Sequence, residues 1–238
     1  MDKWQQALQQ GLDTAHNEDE VFGHVLRAAQ ALGFEFAAYG LRLPVPFAKP
    51  AVLLLNNYPK AWRQRYVEQA LWRVDPTVAR AQHDTEAFVW EPTLHDAAAP
   101  FWRDAHAMGL RHGWCQPRRE ICGTLGLLTL ARSSGEIDVA ELQRLGPQLR
   151  WLADSAHSHL SELLVQRQWR EAQAALTGRE VEVLRWTADG KTAPDISRIL
   201  DLSVDTVNFH MRNAMGKLQA STKTAAAVRA TMLGLLTR

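Results

Sequence analysis

The sequence predicts an α+β domain, in which helices cover a mainly antiparallel sheet, followed by a smaller all-α domain. At 238 residues the chain exceeds the commonest size of a single domain. Residues 1 to about 165 mix strand-like and helical segments without the strict alternation of a parallel sheet, which favours the α+β class. From residue 176 onward, four helix start signals follow one another and no strand pattern intervenes.

The first helix and the first two strands are marked by their boundaries. Asn17 can cap a helix whose first turn is acidic, and Gly33 ends it. Segments 34–43 and 51–57 then have the apolar, β-branched and aromatic composition of strands. The proline-containing stretch PVPFAKP between them resists helix and suits an exposed connection.

The middle of the chain alternates between helical and strand-like spacing. Helical spacing runs from 59 to 73, and Asp75-Pro76 can start a short helix, since proline is tolerated in a first turn. The remaining predicted elements are a strand at 87–90, a helix at 100–110, strands at 113–119 and 123–133, and a long amphipathic helix at 138–167 with a kink at Gly146-Pro147.

Composition excludes several classes of protein. Hydrophobic residues make up 46% of the chain and charged residues 22%, the usage of a folded globular protein. No run of eighteen apolar residues and no N-terminal signal pattern occur, so we expect a cytoplasmic protein without a membrane span. The two cysteines, Cys115 and Cys122, suggest neither a disulfide framework nor a metal site, and we interpret both as reduced packing residues.

The C-terminal segment begins with a capping box, in which Thr177 caps a helix and Glu180 reaches back to the cap amide. Thr192 and Ser203 cap the second and third helices, and Ser221 or Thr222 starts the fourth. A tight turn, DLS, separates the second helix from the third, which is helix-turn-helix spacing.

The charge of this segment is a weak indication of nucleic-acid binding. Residues 174–238 carry 9 Lys and Arg against 6 Asp and Glu, a net charge of +3. Asn208 and Arg212 lie on the third helix, and their side chains suit adenine and guanine edges, respectively. Spacing alone leaves open a plain four-helix bundle whose polar face meets water. The apolar positions that can hold the helices of the helix-turn-helix together are Ile196, Ile199, Leu200, Val207, Met211 and Leu218.

The motif LTGREVEVLRWTADGKTAPDISRILDLSVDTVNFHMRNAMGKL resembles the DNA-binding domain of the LuxR family over essentially its whole length. The resemblance implies binding to double-stranded DNA. It implies base contacts for Asn208 and Arg212, and phosphate or framework roles for Thr206, His210 and Lys217. The family's characteristic Glu180, Leu184 and Gly190 are expected to be structural.

The N-terminal half resembles the autoinducer-binding domain of quorum-sensing LuxR-type receptors, from GFEFAAYGLRLPVPFAKP through LGLLTLARSS. The family's ligand signature is matched by Trp62, Tyr66, Asp75, Pro76 and Trp90, at spacings of 4, 9, 1 and 14. Gly113 matches a further characteristic position, and Tyr58 and Thr129 match polar pocket positions of some members.

This resemblance implies an α-β-α sandwich that binds an N-acyl homoserine lactone. Trp62 would donate to the lactone carbonyl, Asp75 would accept from the amide N–H, and Tyr58 with Thr129 would donate to the acyl carbonyl. Phe101, Trp102, Leu125 and Leu127 are further candidates for enclosing the ring and tail, with Tyr66 and Trp90.

The predicted organisation is an autoinducer-binding domain at 1–165, a linker at 166–175 and a DNA-binding domain at 176–238. The resemblance also implies a homodimer and leaves contact with RNA polymerase open. A receptor that answers foreign lactones or another small molecule is the alternative within the class. A lactone-processing enzyme and a ligand-independent repressor are the rivals outside it. No GxSxG elbow or metal-ligand pattern supports an enzyme, so we expect no catalytic residues, metal or cofactor.

Overall fold

The computed structural model describes residues 2–44, 51–90, 98–120 and 123–236, with the backbone alone for 168–175. The chain divides into two compact units, one built from Met1–Pro44 and Val52–Leu163 and the other from Leu164–Arg238. The predicted connection PVPFAKP, apart from Pro44, and the second cysteine, Cys122, lie outside the described residues.

A five-stranded sheet forms the centre of the first unit, in the order β2-β1-β5-β4-β3. All of its pairings are antiparallel, which confirms the predicted α+β class. The strands are β1 (Phe36–Arg42), β2 (Val52–Asn56), β3 (Phe88–Trp90), β4 (His112–Arg119) and β5 (Leu125–Arg132).

Alternation along β5 separates the two faces of the sheet, because successive side chains of a strand point to opposite sides. Leu125, Leu127 and Ala131 belong to an apolar cluster on one face. On the other face the Tyr39 hydroxyl lies 2.9 Å from His157 Nδ1. The sheet therefore separates two layers, as in the predicted α-β-α sandwich.

Six α-helices accompany the sheet in the described part of the first unit and at its junction with the second. They are α1 (Lys3–Thr14), α2 (Glu18–Ala31), α3 (Lys60–Glu68), α4 (Pro76–Ala81), α5 (Ala99–Ala107) and α6 (Val139–Ala175). Helix α1 was not predicted. It buries Leu8 and Leu12, and its Trp4 ring meets Trp151 edge-on at 5.6 Å. The four-residue spacing of the two leucines is the signal that would have revealed it.

The helix predicted over 59–73 is interrupted. Helix α3 ends at Glu68, and Ala70 has a left-handed backbone with φ of 50°, which stops the helical hydrogen-bond ladder. A 3-10 turn, Leu71–Arg73, follows, and Asp75 then caps α4 through its bond to the Thr77 amide. This break reverses the direction of the chain, so that Asp75 accepts a hydrogen bond from Tyr66 of α3.

Helix α6 is longer than predicted and runs for 37 residues with Pro147 inside it. It continues through 166–175, so the segment predicted as a linker has a helical backbone. None of the helices in the described ranges is both long enough and apolar enough to cross a membrane.

The second unit contains four further α-helices in its described part, each with the predicted kind of cap. They are α7 (Gly178–Ala188), α8 (Ala193–Leu200), α9 (Val204–Lys217) and α10 (Lys223–Met232). Thr177, Thr192, Ser203 and Thr222 each accept a hydrogen bond from the amide three residues on. The prediction was wrong for Ile199, which is 43% exposed because Ile196 is the residue that α8 turns into the core.

Candidate functional site

An aromatic wall covers one face of the sheet in the first unit. Trp62 and Tyr66 lie one turn apart on α3, with ring centroids 6.0 Å apart. The Trp62 ring meets Phe101 of α5 edge-on at 5.5 Å. Trp90 of β3 stacks on Trp102 of α5 at 5.1 Å with an interplanar angle of 20°. The predicted pocket residues of three separate elements are thus brought into one cluster.

Asp75 is a buried carboxylate at the edge of this wall, only 8% exposed. Its Oδ1 accepts from the Thr77 amide at 2.8 Å and from the Thr77 hydroxyl at 2.7 Å. Its Oδ2 accepts from the Tyr66 hydroxyl at 2.8 Å. Burial raises the pKa of Asp75 above its ordinary value, although the hydrogen bonds from Thr77 and Tyr66 oppose that rise. A carboxylate has about four lone-pair sites, so Oδ2 retains capacity for one more donor.

Besides the Trp90 indole N–H, which is buried without a partner, two donors in the same cluster have no acceptor among the described residues. Within the described part of the chain, no hydrogen bond engages the indole N–H of Trp62 or the hydroxyl of Tyr58. Burial, together with Cys115 and Asp75, raises the pKa of Tyr58 well above its ordinary value, so its hydroxyl stays protonated and remains a donor. The two donor atoms are not themselves sealed from solvent, so a polar ligand can reach and engage them.

The sheet contributes the polar floor of the cluster. Thr129 of β5 is paired in register with Cys115 of β4, and their Oγ1 and Sγ atoms are 3.2 Å apart. Sequence reasoning missed Cys115 and Thr77 as site residues. The signal for Thr77 was its position two residues after Asp75, where a Thr can bond to the carboxylate. The signal for Cys115 was its two-residue spacing from Gly113, which gives both the same face.

Gly113 has a direct packing reason. It pairs with Trp90 in the β3-β4 ladder, and a Cβ at Gly113 would lie 2.2 Å from two carbon atoms of the Trp90 indole. The Trp90 Nε1 atom is buried and has no hydrogen-bond partner. Glycine at position 113 therefore makes room for the Trp90 indole.

The side chains of the cluster suit a mainly apolar molecule that carries a few polar atoms. Asp75 supplies an acceptor, and Tyr58 and Trp62 supply donors within a desolvated aromatic surround. Among the residues that the structure describes, no group of three or more His, Cys, Asp or Glu side chains could hold a metal ion. The arrangement suits binding by hydrogen bonds and contact area.

The second unit fixes its helix-turn-helix through a mostly buried ion pair. Glu180 is 2% exposed and completes the capping box by accepting from the Thr177 amide at 2.7 Å. Its two carboxylate oxygens each lie 2.8 Å from Nζ of Lys217, at the end of α9. Burial acts to raise the pKa of Glu180, but the bonds from Lys217 and Thr177 outweigh it and lower that pKa. Lys217 thus ties α9 to the start of α7.

The other predicted DNA-contacting residues lie along α9. The Thr206 hydroxyl is 2.8 Å from that of the cap residue Ser203. Asn208 Oδ1 accepts from Lys223 Nζ at 3.0 Å. The His210 ring meets the exposed Phe209 ring at 5.6 Å. Arg212 is exposed, and no bond to another described residue engages its guanidinium.

These two units define a transcription regulator with a small-molecule site in one part and a helix-turn-helix in the other. The family model described as autoinducer binding domain matches residues 17–160. The model described as bacterial regulatory proteins, luxR family, matches residues 174–230. The chain belongs to the LuxR family of quorum-sensing transcriptional regulators, which confirms the resemblance predicted from sequence.

Individual relatives are similar to this chain over nearly its whole length. The chain is 40% identical to the transcriptional activator protein AnoR of Acinetobacter nosocomialis, over 99% of this chain and 100% of AnoR. It is similar to the crystal structure of Escherichia coli SdiA, with a TM-score of 0.77 and 31% identity over 98% of each chain. A structure of SdiA in complex with octanoyl-rac-glycerol gives a TM-score of 0.75 and 31% identity, over 98% of this chain and 95% of that one.

A third relative matches a smaller share of the chain. It is the N-acylhomoserine lactone dependent LuxR family transcription factor CepR2 of Burkholderia cenocepacia. The TM-score is 0.64 and the identity 32%, over 68% of this chain and 95% of CepR2. The matched families and relatives are regulators of transcription, which confirms that the chain is not an enzyme.

Proposed function

We propose that the autoinducer-binding unit takes an N-acyl homoserine lactone between the aromatic wall and Asp75. The observation that carries this proposal is the buried Asp75 carboxylate, which has spare acceptor capacity beside two unengaged donors. A buried site must match each polar atom of its ligand, or the affinity is lost. An acyl homoserine lactone offers one amide N–H and two kinds of carbonyl to match.

The polar atoms pair as follows in this proposal. Asp75 Oδ2 accepts from the amide N–H, the Trp62 indole N–H donates to the lactone carbonyl, and the Tyr58 hydroxyl donates to the acyl carbonyl. Thr129, held beside Cys115 on the floor of the cluster, is the second donor for the acyl carbonyl. Tyr66 and Trp90 enclose the ring and the start of the tail.

The lactone amide distinguishes this ligand from an acylglycerol. CepR2 is described as N-acylhomoserine lactone dependent, whereas SdiA has been crystallised with octanoyl-rac-glycerol. An acylglycerol has an ester in place of the amide and can reach Asp75 only through a flexible hydroxyl. A rigid amide N–H should bind a fixed carboxylate with higher affinity than a flexible hydroxyl does, because less conformational freedom is lost on binding.

The direct test is to identify what the protein retains. The full chain is expressed with a mixture of N-acyl homoserine lactones of several tail lengths and with an acylglycerol, and an organic extract of the purified protein is analysed by mass spectrometry. We expect a lactone at close to one molecule per chain. An empty extract, or one containing only acylglycerol, would refute the proposal.

A matched pair of substitutions tests the role of Asp75. Asp84 Oδ1 accepts from the Glu86 amide two residues on, as Asp75 Oδ1 does from Thr77, but Asp84 lies at the surface. Asp75→Asn should abolish lactone retention, because the new amide cannot accept the same bonds from Tyr66, Thr77 and the ligand. Asp84→Asn should retain it, and equal losses in both variants would point to misfolding instead.

Ligand burial should also support folding. A ligand that binds only the folded state stabilises it by about 2.7 kcal/mol when its free concentration is one hundred times Kd. We therefore expect the ligand-free chain to be less soluble and to melt at a lower temperature than the loaded chain. Equal melting temperatures with and without lactone would contradict this coupling.

The DNA-binding unit reads its site through α9 in this proposal. Asn208 and Arg212 contact bases, and Thr206 and His210 contact phosphates or support the helix. The ion pair with Glu180 supports a framework role for Lys217 in place of a phosphate contact. Glu180, Leu184 and Gly190 are structural, and the buried Glu180 and Leu184 support that assignment. The left-handed backbone of Gly190, with φ of 78°, supports a structural role for that residue.

The proposed organisation is a ligand-binding domain at 1–165, a connecting segment at 166–175 and a DNA-binding domain at 176–238. A homodimer fits this arrangement, because two linked modules that read two half-sites gain effective concentration. Helix α6 is the proposed contact element. The proposed location is the cytoplasm, where the DNA target lies, and RNA polymerase is a further proposed partner.

A further inference from the structure

We propose that Lys223 determines base specificity by holding the amide of Asn208, so that the pair offers only hydrogen-bond donors to the DNA. Lys223 lies outside α9 and is the first residue of α10. Its Nζ donates to Asn208 Oδ1 at 3.0 Å. The inference rests on Asn208 as a base-contacting residue, which is itself part of the proposed function.

The contact fixes the orientation of the Asn208 side chain. A lysine ammonium has donors only, so the amide oxygen of Asn208 must face it and the amide nitrogen must face away. Hydrogen bonds from a charged donor are stronger than those between neutral groups, which favours this orientation over the flipped one. Both side chains are open to solvent on one side, so both remain available to a DNA duplex.

Stability of α10 does not explain a lysine at this position. The positive end of a helix dipole lies at its N-terminus, where acidic side chains are favoured and a lysine is not. The first turn of α10 contains no acidic residue, and no carboxylate among the described residues forms an ion pair with Lys223. Local preferences that are broken without a compensating contact are typical of functional positions.

The donor-only character changes the base that Asn208 should read. A free asparagine reads adenine with two bonds, accepting from N6 and donating to N7. With its oxygen held by Lys223, Asn208 keeps only N–H donors, and the ammonium adds further donors beside them. Guanine presents two acceptors, O6 and N7, in the major groove and is the base that matches such a pair. The Lys223-Asn208 pair should therefore select guanine where asparagine alone would select adenine.

A role for Lys223 in phosphate binding alone makes a different prediction. A phosphate contact strengthens binding to every sequence equally and steepens the dependence on salt concentration. A specificity residue instead changes the ranking of bases at one position of each half-site. The two roles are therefore separated by comparing base preference with salt dependence in the same variants.

The experiment uses the full chain, expressed with a mixture of N-acyl homoserine lactones, and selection from a library of randomised duplex DNA. Preferred sites are then measured by fluorescence anisotropy, with guanine and adenine exchanged at each position. The variants are Lys223→Gln, Lys223→Arg, Asn208→Ala and the double variant, and Lys191→Gln is the control. Lys191 is an exposed lysine in the turn after α7.

We expect Lys223→Gln to change the guanine to adenine affinity ratio roughly tenfold at one position, within the discrimination of one good base contact. Lys223→Arg should keep the wild-type preference, because arginine also has donors only. Asn208→Ala should lose the preference at that position, and the double variant should behave like Asn208→Ala. Lys191→Gln should leave every ratio unchanged.

Two results would overturn parts of this inference separately. If Asn208→Ala changes no base preference, Asn208 is not a base contact and the proposed function of α9 fails with it. If Asn208→Ala loses the preference but Lys223→Gln only weakens binding to all sites and lowers the salt slope, Lys223 is a phosphate contact. A wild-type preference for adenine at the Asn208 position would also refute the donor-only reading.

Discussion

Replacing Tyr66 by Phe should move the pH range over which the ligand binds. The substitution keeps the ring that packs on Trp62 and Trp72, and it removes only the hydroxyl that donates to Asp75 Oδ2 at 2.8 Å. The remaining donors to Asp75 are the amide and hydroxyl of Thr77, which reach Oδ1, and the backbone amide of Val78. The substitution therefore destabilises the ionised form of Asp75 relative to the protonated form.

The direction of the pH effect follows from burial. Because burial raises the pKa of Asp75, the folded state binds the carboxyl proton more tightly than the unfolded chain does. Ionisation of Asp75 therefore lowers the free energy of unfolding as pH rises from its ordinary pKa through the raised one. A ligand N–H binds more strongly to the ionised form, because a charged acceptor makes the stronger hydrogen bond. Affinity should thus be full above the raised pKa and fall as pH decreases through it.

The size of the shift can be bounded. A hydrogen bond to a charged group contributes about 1.5–3 kcal/mol, and each 1.4 kcal/mol is a factor of ten in an equilibrium constant. In Tyr66→Phe the ratio of ionised to protonated Asp75 at a fixed pH should therefore fall roughly 10- to 100-fold. The acid limb of the binding curve moves to higher pH by the corresponding amount.

The assay is titration calorimetry with an N-acyl homoserine lactone between pH 8 and pH 5, on the wild type, Tyr66→Phe and Tyr39→Phe. Tyr39 is a matched control, since its buried hydroxyl contacts His157 on the opposite face of the sheet. Tyr39→Phe should lower stability by about 0.5–1.5 kcal/mol without moving the acid limb. If the acid limb of the binding curve does not move in Tyr66→Phe, the reasoning is refuted.

Two further predictions concern residues that fix the two units. Lys217→Met should destabilise the DNA-binding unit by about 3 kcal/mol, because it leaves the Glu180 carboxylate buried without its cation. Since the Glu180 pKa is lowered in the folded state, the wild type should lose this contribution as pH falls through that pKa, and urea unfolding at pH 7 and pH 4 should show a smaller difference in the variant. Gly113→Ala should lower the melting temperature of the loaded protein, since the new Cβ would need the space of the Trp90 indole, and overpacking costs about 1–3 kcal/mol. In a Gly146→Ala variant the new Cβ would lie 3.7 Å from an Arg150 side-chain nitrogen, and alanine is favoured over glycine inside α6 by about 1 kcal/mol, so this variant should melt no lower than the wild type. An equal fall in melting temperature in both variants would contradict the packing argument.

Much of the fold could be predicted because its signals are local. The caps at Thr177, Thr192 and Ser203 depend on the chemistry of three or four neighbouring residues, and each is present as predicted. The strands were predicted from short apolar runs, and their antiparallel class from the absence of helical crossovers. The break at Ala70 was not predicted, because alanine is a good helix former and a non-glycine residue with positive φ leaves no mark in sequence.

Part of the candidate site was also predictable from sequence, and part of it was not. The resemblance carried by Trp62, Tyr66, Asp75, Pro76 and Trp90 indicated a ligand-binding family, but it could not give the bond from Tyr66 to Asp75. That bond depends on the turn at Ala70, which reverses the chain between them. Cys115 joins the candidate site because β4 and β5 pair it with Thr129, and strand register joins residues that are distant in sequence.

The sequence by itself determined the two-part organisation, the family, the caps of the helices in the second unit and the residue types of the candidate ligand site, since all of these depend on local patterns. Only the tertiary structure decided what those side chains do together. It joined Lys217 to Glu180 and Lys223 to Asn208 across separate helices, and it buried Asp75 beneath an aromatic wall built from three elements. The physical reason is that charge, desolvation and hydrogen-bond orientation are set by neighbours in space, which a linear pattern does not specify.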